Sequence, residues 1–300
     1  MKIKNKLNLP QPLVDAVTRE YTPTPNRYSV TTLLKGTKEI ILSRRYGGEV
    51  EKDVSEMIWL ILGNAVHGIL ENANEAEDEL KETFIEYTFK DLGMTISGKQ
   101  DLYSESSKTI TDYKTASVNK VLFNDWDDYR KQTLMYCYIF RKLGFDAENG
   151  QIVAILKDWA VTKAKREHDY PKLPIHIEKW HFTEQEFEDI ENFIKDKLMD
   201  IKAKENLPDN LIPECTPEER WHRDDTFAVM KKGNKRAVRV FNNIDDAKTF
   251  IDEKLNADQK EGLKLSIEKR NGEDVKCCNY CDYCKYCSYY KSRYAESGDD

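Results

Sequence analysis

Two short strings hold side chains that can do chemistry together: Asp101 in ISGKQDLYSE, and Asp112 with Lys114 in KTITDYKTA. In an extended strand Asp112 and Lys114 share parity and leave the sheet on one face, with Ile110 before them at the buried end. A hairpin turning near residues 104 to 107 would carry Asp101 toward Asp112. Two carboxylates held close repel each other unless a cation lies between them, and hard oxygen ligands suit Mg²⁺ or Mn²⁺. Lys114 would then stand where it can offset charge on a phosphate or place a water beside the metal. The expectation is a divalent-metal site in which Asp101, Asp112 and Lys114 do the chemistry. A solvent-facing strand with an ordinary Asp–Lys ion pair would carry the same string.

Two flanking helices bear on that choice. LGNAVHGILE places His67 among apolar residues, with Glu71 one turn on and small residues at Gly63, Ala65 and Gly68. A lone histidine on an apolar helix face is ordinarily a core residue, but this one precedes a carboxylate pair that lacks a third protein ligand. In QTLMY, Gln132 and Tyr136 are one turn apart on one face, where an amide and a phenol can contact a nucleic-acid backbone or base. Read alone, they are a helix surface and a core tyrosine.

The elements that must position these groups follow from periodicity. Residues 1 to 27, with four of the nine prolines, read as an extended amino-terminal arm. A helix is expected through SVTTLLKGTKEIILSRRY, capped by Ser29 or Thr31, and a second over 54–75. TFIEYTFKD, GMTISGKQDLYSE and KTITDYKTA alternate and are rich in β-branched residues, so they read as consecutive strands. A helix over 125–143, strands over 150–158 and 174–182, and a helix over 183–205 follow. The fold class is α/β: a mixed central sheet flanked by helices over 28–207, then a small α+β module with a cysteine cluster over 208–290. That module is expected to hold two strands, TFAVMKK and RAVRVF, around a turn at Gly233 and Asn234, and a helix over 245–255. Residues 291–300 read as a disordered tail.

Composition sets limits. Three hundred residues at 39% hydrophobic can bury a full core. No apolar run approaches membrane-spanning length and no export signal opens the chain, so no membrane partner and a cytoplasmic location are expected. Five of the seven cysteines crowd into KCCNYCDYCKYC, too close together for a disulfide framework without a metal between them. The formal net charge of -7 gives no global attraction to nucleic acid, so DNA contact needs local cations or bound metal. Lys231, Lys232, Lys235, Arg236 and Arg239 form one basic hairpin, readable as a solvated turn or as a DNA-guiding surface.

The ordered set His67, Gly98-x-x-Asp101, Asp112-x-Lys114 and Gln132-x-x-x-Tyr136 resembles the RecB-like branch of the PD-(D/E)XK nuclease superfamily, over roughly residues 28 to 200. The resemblance implies a restriction-endonuclease-like core and a metal-dependent deoxyribonuclease, in particular an exonuclease, serving DNA recombination, repair or replication. It implies Mg²⁺ or Mn²⁺ on His67, Asp101, Asp112 and the backbone carbonyl of Tyr113, with Lys114 assisting hydrolysis and Gln132 and Tyr136 on DNA. SVTTLLKGTKEIILSRRY and IPECTPEERW, followed by a cysteine-rich end, look like phage-encoded members acting in the host cytoplasm. A recombinase or helicase partner and the oligomeric state stay open, as does a non-catalytic module that only binds nucleic acid or assists assembly.

Members of that branch carry a 4Fe-4S cluster on one cysteine before the nuclease motifs and three after them, spaced C-x2-C-x5-C. Cys278, Cys281 and Cys287 match the trio, but no cysteine precedes Cys137, which sits in an apolar helix. Cys215 is the preferred fourth ligand, with Cys284 and Cys277 as alternates. The cofactor is an iron–sulfur cluster or Zn²⁺, acting as a structural clasp.

Overall fold

A computed structural model describes residues 1–18, 22–74, 76–258 and 264–294 of the chain, which divides into two units, Met1–Pro208 and Asp209–Asp300. The first is built on a six-stranded mixed sheet: β1 (Arg27–Ser29), β2 (Glu79–Phe89), β3 (Met94–Ser104), β4 (Thr109–Ala116), β5 (Asn149–Leu156) and β6 (Ile175–His181). β3 is the hub. Antiparallel β2 runs along one edge of it, while the other edge is shared between β1, parallel at residues 95–97, and β4, antiparallel at residues 102–104. β4 then pairs in parallel with β5, and β5 antiparallel with β6.

The helices that shape the site are α1 (Thr37–Tyr46), α2 (Ile58–Glu71), α3 (Asp127–Lys142) and α4 (Glu184–Lys204). Residues 132–140 of α3 are all buried, so this helix lies in the core between the sheet and its other cover. α4 starts at a reciprocal cap between Thr183 and Glu186 and buries one stripe: Phe187, Ile190, Ile194, Leu198 and Ile201. α2 packs on β4 yet buries none of its residues.

Several expectations change in detail. The helix expected through SVTTLLKGTKEIILSRRY is two, Val30–Leu33 and α1, parted at Gly36 in extended backbone (φ -62, ψ 143), with Ser29 capping the first through the Thr32 N–H. The helix expected over 54–75 is a 3-10 turn, Val54–Met57, followed by α2. Residues 1–27 are not a single extended arm. Lys2–Lys4 pairs in parallel with Glu51–Asp53, and Gln11–Val17 is helical, with proline in its first turn where no N–H is needed. Ile3, Leu9, Val14 and Val17 close a small cluster over Val54 and Met57, which gives the segment a reason to fold back.

The second unit holds β7 (His222–Arg223), β8 (Thr226–Lys231), β9 (Arg239–Phe241), α5 (Ile244–Asp258), β10 (Leu265–Arg270), β11 (Glu273–Asp274), α6 (Val275–Asn279) and α7 (Ser288–Tyr294). β8 is central, flanked by antiparallel β9 and β10, and β7 pairs with β11. β10 escapes sequence reading because only Leu265 and Ile267 alternate before its charged end. Of the tail expected to be disordered, residues 291–294 belong to α7 and the rest lies outside the described residues.

Candidate metal centre

The edge of β3 facing away from β2 has no strand partner between residues 97 and 102, because β1 stops at one end and β4 begins at the other. GKQD falls in that gap. β3 and β4 splay after Leu102 pairs with Thr111, which leaves the Tyr113 N–H without a ladder partner on that side. Asp101 Oδ2 accepts it at 2.7 Å. The splay therefore opens a space between strands, and the Asp101 carboxylate reaches across it to β4.

Two elements bring ligand atoms to Asp101. His67 Nδ1, from α2, lies 3.3 Å from Asp101 Oδ1 and 3.8 Å from Glu82 Oε1 of β2. The donor atoms of His67, Glu82 and Asp101 all lie within 4.8 Å of one another, a spacing that fits one metal ion. Glu82 stands opposite Asp101 in the β2–β3 register, between the pairs Lys81–Leu102 and Thr83–Gln100, and its backbone is left-handed at φ +47. A non-glycine residue held there stores strain, as often happens where a side chain must be aimed at a site. Directly opposed carboxylates across a strand pair repel each other, so the placement calls for a cation.

Each carboxylate has a protein cation at hand. His67 serves Asp101, which raises the histidine's pKa above its ordinary value. Lys99 Nζ lies 2.7 Å from Glu82 Oε2 and 3.1 Å from Glu71 Oε1. Lys114 Nζ lies 2.5 Å from Asp112 Oδ2. Asp112 is buried at 3% exposure; desolvation, opposed by Lys114 and helped by the Asp101 charge, pushes its pKa up to about 6. Its carboxylate stands outside the three-residue group, held by Lys114 and by Gln132.

Gln132 and Tyr136, expected on DNA, lie in the interior. Both are buried, because they lie on the all-buried stretch of α3. Gln132 Nε2 donates to Asp112 Oδ1 at 3.0 Å, and the Tyr136 hydroxyl donates to the Lys99 carbonyl at 3.3 Å. The tyrosine ring rests against Gly98, where an added Cβ would come 2.5 Å from its Cε1. These contacts tie α3 to β4 at Asp112 and to β3 at Lys99. Glu82 is the group that sequence reading missed. A strand taken to begin at Thr83 starts one residue after it, and what puts it opposite Asp101 is the β2–β3 register.

In the second unit Asp274, fully buried, gathers the segments that carry cysteines. It accepts from Tyr289 at 2.6 Å and from Tyr294 at 2.8 Å, and faces His222 at 2.7 Å and Arg220 at 3.2 Å. Arg220 donates to the Cys215 carbonyl and accepts from the Lys276 N–H, so Cys215 and the start of α6 are tied together. Burial and the neighbouring groups Asp274, Cys281, Cys215 and Cys287 push the Cys277 thiol up to about 12. Cys278 instead is exposed, beside Glu273, Asp274 and Tyr294. Cys284 is half-buried, and Cys137 is wholly buried in α3.

No family model and no curated protein matches the chain. Among solved structures it is similar to SSO0001, at 18% identity and a TM-score of 0.45, over 63% of this chain and 82% of that one. It is also similar to a phage-related exonuclease from Haemophilus somnus 129PT, at 14% identity and a TM-score of 0.29, over 57% of this chain and 72% of that one. At TM-scores below 0.5 these likenesses decide nothing about chemistry. Among the described residues no helix is long and apolar enough to cross a membrane.

Proposed function

We propose that the chain is a metal-dependent deoxyribonuclease, acting as an exonuclease in DNA recombination, repair or replication, and that it is phage-encoded and works in the host cytoplasm. The observation that supports this reading is the gap at the edge of β3, where His67, Glu82 and Asp101 meet and the Asp112–Lys114 pair stands on the neighbouring strand. Three carboxylates and one imidazole suit Mg²⁺ or Mn²⁺, and the imidazole weights the set toward Mn²⁺.

His67, Glu82 and Asp101 would hold the metal, with Asp112 and the Tyr113 carbonyl on the side of β4. A metal bound there supplies Lewis-acid charge on a phosphate oxygen and a more acidic water. Lys114, oriented by Asp112, donates to the oxygen that gains charge as water attacks phosphorus and the P–O bond to the leaving strand breaks. Gln132 keeps the Asp112 carboxylate turned toward Lys114.

The second unit would bind a 4Fe-4S cluster or Zn²⁺ on Cys215, Cys278, Cys281 and Cys287, with Cys277 and Cys284 as alternates. Its support is the tie between the Cys215 segment and the start of α6 through Arg220. The role is a clasp on the end of the chain.

End-labelled linear DNA and circular DNA incubated with Mn²⁺ test the first reading. Wild type should release nucleotides from linear DNA only, and Asp112→Ala should release none while melting as wild type does. Equal digestion by Asp112→Ala would sink it. Metal analysis and a visible spectrum of protein purified without oxygen decide iron against zinc, and Cys277→Ser against Cys278→Ser decides the ligand set.

A further inference from the structure

The helix that carries His67 is apolar at its start and leaves that start in solvent. Ile58, Trp59, Leu60 and Leu62 are exposed, Trp59 by 63%, and no residue of α2 is buried. An exposed apolar turn of this kind marks an interaction surface. The indole has a companion: Lys157 Nζ stands 4.4 Å from its ring centroid, exposed and making no ion pair among the described residues.

This pair is placed with respect to the metal centre along two routes. Trp59 precedes His67 by eight residues, about 12 Å of helix. The Lys157 N–H donates to the Ala116 carbonyl at 3.0 Å, at the far end of β4, the strand that carries Asp112 and Lys114, about 13 Å on from Asp112. A second pairing of ring and cation lies nearby: Lys114 Nζ is 5.5 Å and Lys120 Nζ 4.9 Å from the Tyr129 ring centroid. Moving away from the site, cations and aromatic rings keep company in a chain whose overall charge is -7.

Rings with ammonium groups beside them match a polymer of flat bases and phosphates, and a distance of about 12 Å spans roughly three to four stacked nucleotides. A purely apolar partner would strip water from Lys157 and give it no counter-charge, whereas a phosphate supplies one. We propose that the first turn of α2 together with Lys157 is a docking surface for one strand of the DNA substrate, with a base stacked on Trp59 and the adjoining phosphate on Lys157. This rests on the nuclease reading of the neighbouring site.

Anisotropy of a short fluorescent oligothymidylate, measured in EDTA so that cleavage plays no part, tests it. Trp59→Ala should bind on the order of tenfold more weakly, and Trp59→Phe, which keeps a ring, should recover most of the loss. Lys157→Ala should lower the slope of log affinity against log salt by about one. The proposal is overturned if Trp59→Ala binds as wild type does. It is also overturned if sedimentation shows a wild-type dimer that Trp59→Ala dissolves, since a second copy then covers the turn. Wild type that cleaves DNA while Trp59→Ala binds normally removes this inference alone. Wild type that neither binds nor cleaves DNA removes the nuclease reading with it.

Discussion

Tyr136 packs so closely on Gly98 that a methyl group on the glycine would meet its Cε1 at 2.5 Å, while its hydroxyl donates to the next residue's carbonyl. Two motifs 38 residues apart in sequence are thus one contact. Neither the ring, buried on α3, nor the β3 backbone can give way freely. Gly98→Ala should destabilise the protein by about 1–3 kcal/mol, the usual range for overpacking, and lower the melting temperature by about 2–4 °C per kcal/mol. Tyr136→Phe keeps the packing and loses one hydrogen bond, so its cost should stay near 1 kcal/mol. Thermal melts of both variants check this, and a melt of Gly98→Ala equal to wild type would show that the contact has slack.

Gln132 separates a positioning role from a DNA-contact role. With its amide on Asp112 Oδ1, Gln132→Leu should lower kcat by about 10–100-fold, the usual effect of removing a partner that orients a ligand. DNA affinity measured in Ca²⁺ should not change, since the side chain is 5% exposed. A variant with unaltered kcat and weakened DNA binding would return Gln132 to the substrate surface.

Much of this site was legible in the sequence, and what was not has physical causes. Strand parity alone puts Asp112 and Lys114 on one face, and the hairpin brings Asp101 alongside. That Gln132 and Tyr136 share a helix face is also local, but whether that face meets solvent or core depends on how much sheet α3 covers, which no window of residues contains. Glu82 depends on the β2–β3 register and on a left-handed backbone at a glutamate, neither of which is encoded by local preference. Gly36 was visible as a glycine within a helical pattern, yet the apolar spacing on either side outweighed it.

Glu82 itself carries a prediction about metal. If it shares an ion with His67 and Asp101, Glu82→Gln should weaken Mn²⁺ binding by about 10–100-fold, read by the electron paramagnetic signal of free Mn²⁺. Without metal the same variant should be no less stable, because it relieves the repulsion between Glu82 and Asp101 and leaves Lys99 with Glu71. Mn²⁺ affinity equal to wild type would reduce Glu82 to a partner of Lys99.

The His67 pKa is raised, chiefly by its hydrogen bond to Asp101, and this fixes the sign of two pH effects. Without metal, the protonated pair contributes stability that is fully present below the ordinary histidine pKa of about 6.5 and is lost as pH rises through the higher folded value. Metal needs the neutral ring, so Mn²⁺ affinity should move the other way and climb over that same window. Titrations from about pH 6 to about pH 8 check it, with His67→Asn expected to flatten both curves. Affinity independent of pH would place the metal away from His67.

Asp274 is the corresponding test in the second unit. Hydrogen bonds from Tyr289 and Tyr294, together with His222 and Arg220, hold its pKa well below the ordinary carboxylate range against the opposing cost of burial. A depressed carboxylate contributes stability that is present above the unfolded value of about 4 and fades as pH falls through the folded one. Asp274→Asn keeps the size of the side chain but removes the buried one of the two counter-charges of Arg220, leaving only the exposed Glu214 at 3.3 Å, at a cost of about 1–3 kcal/mol to this unit. Since Arg220 also holds the Cys215 carbonyl and the Lys276 N–H, the variant should lose iron or zinc while its DNA cleavage persists. Metal content and nuclease activity measured on the same preparation decide it: a full complement of iron or zinc in Asp274→Asn would mean the thiols are positioned without this carboxylate.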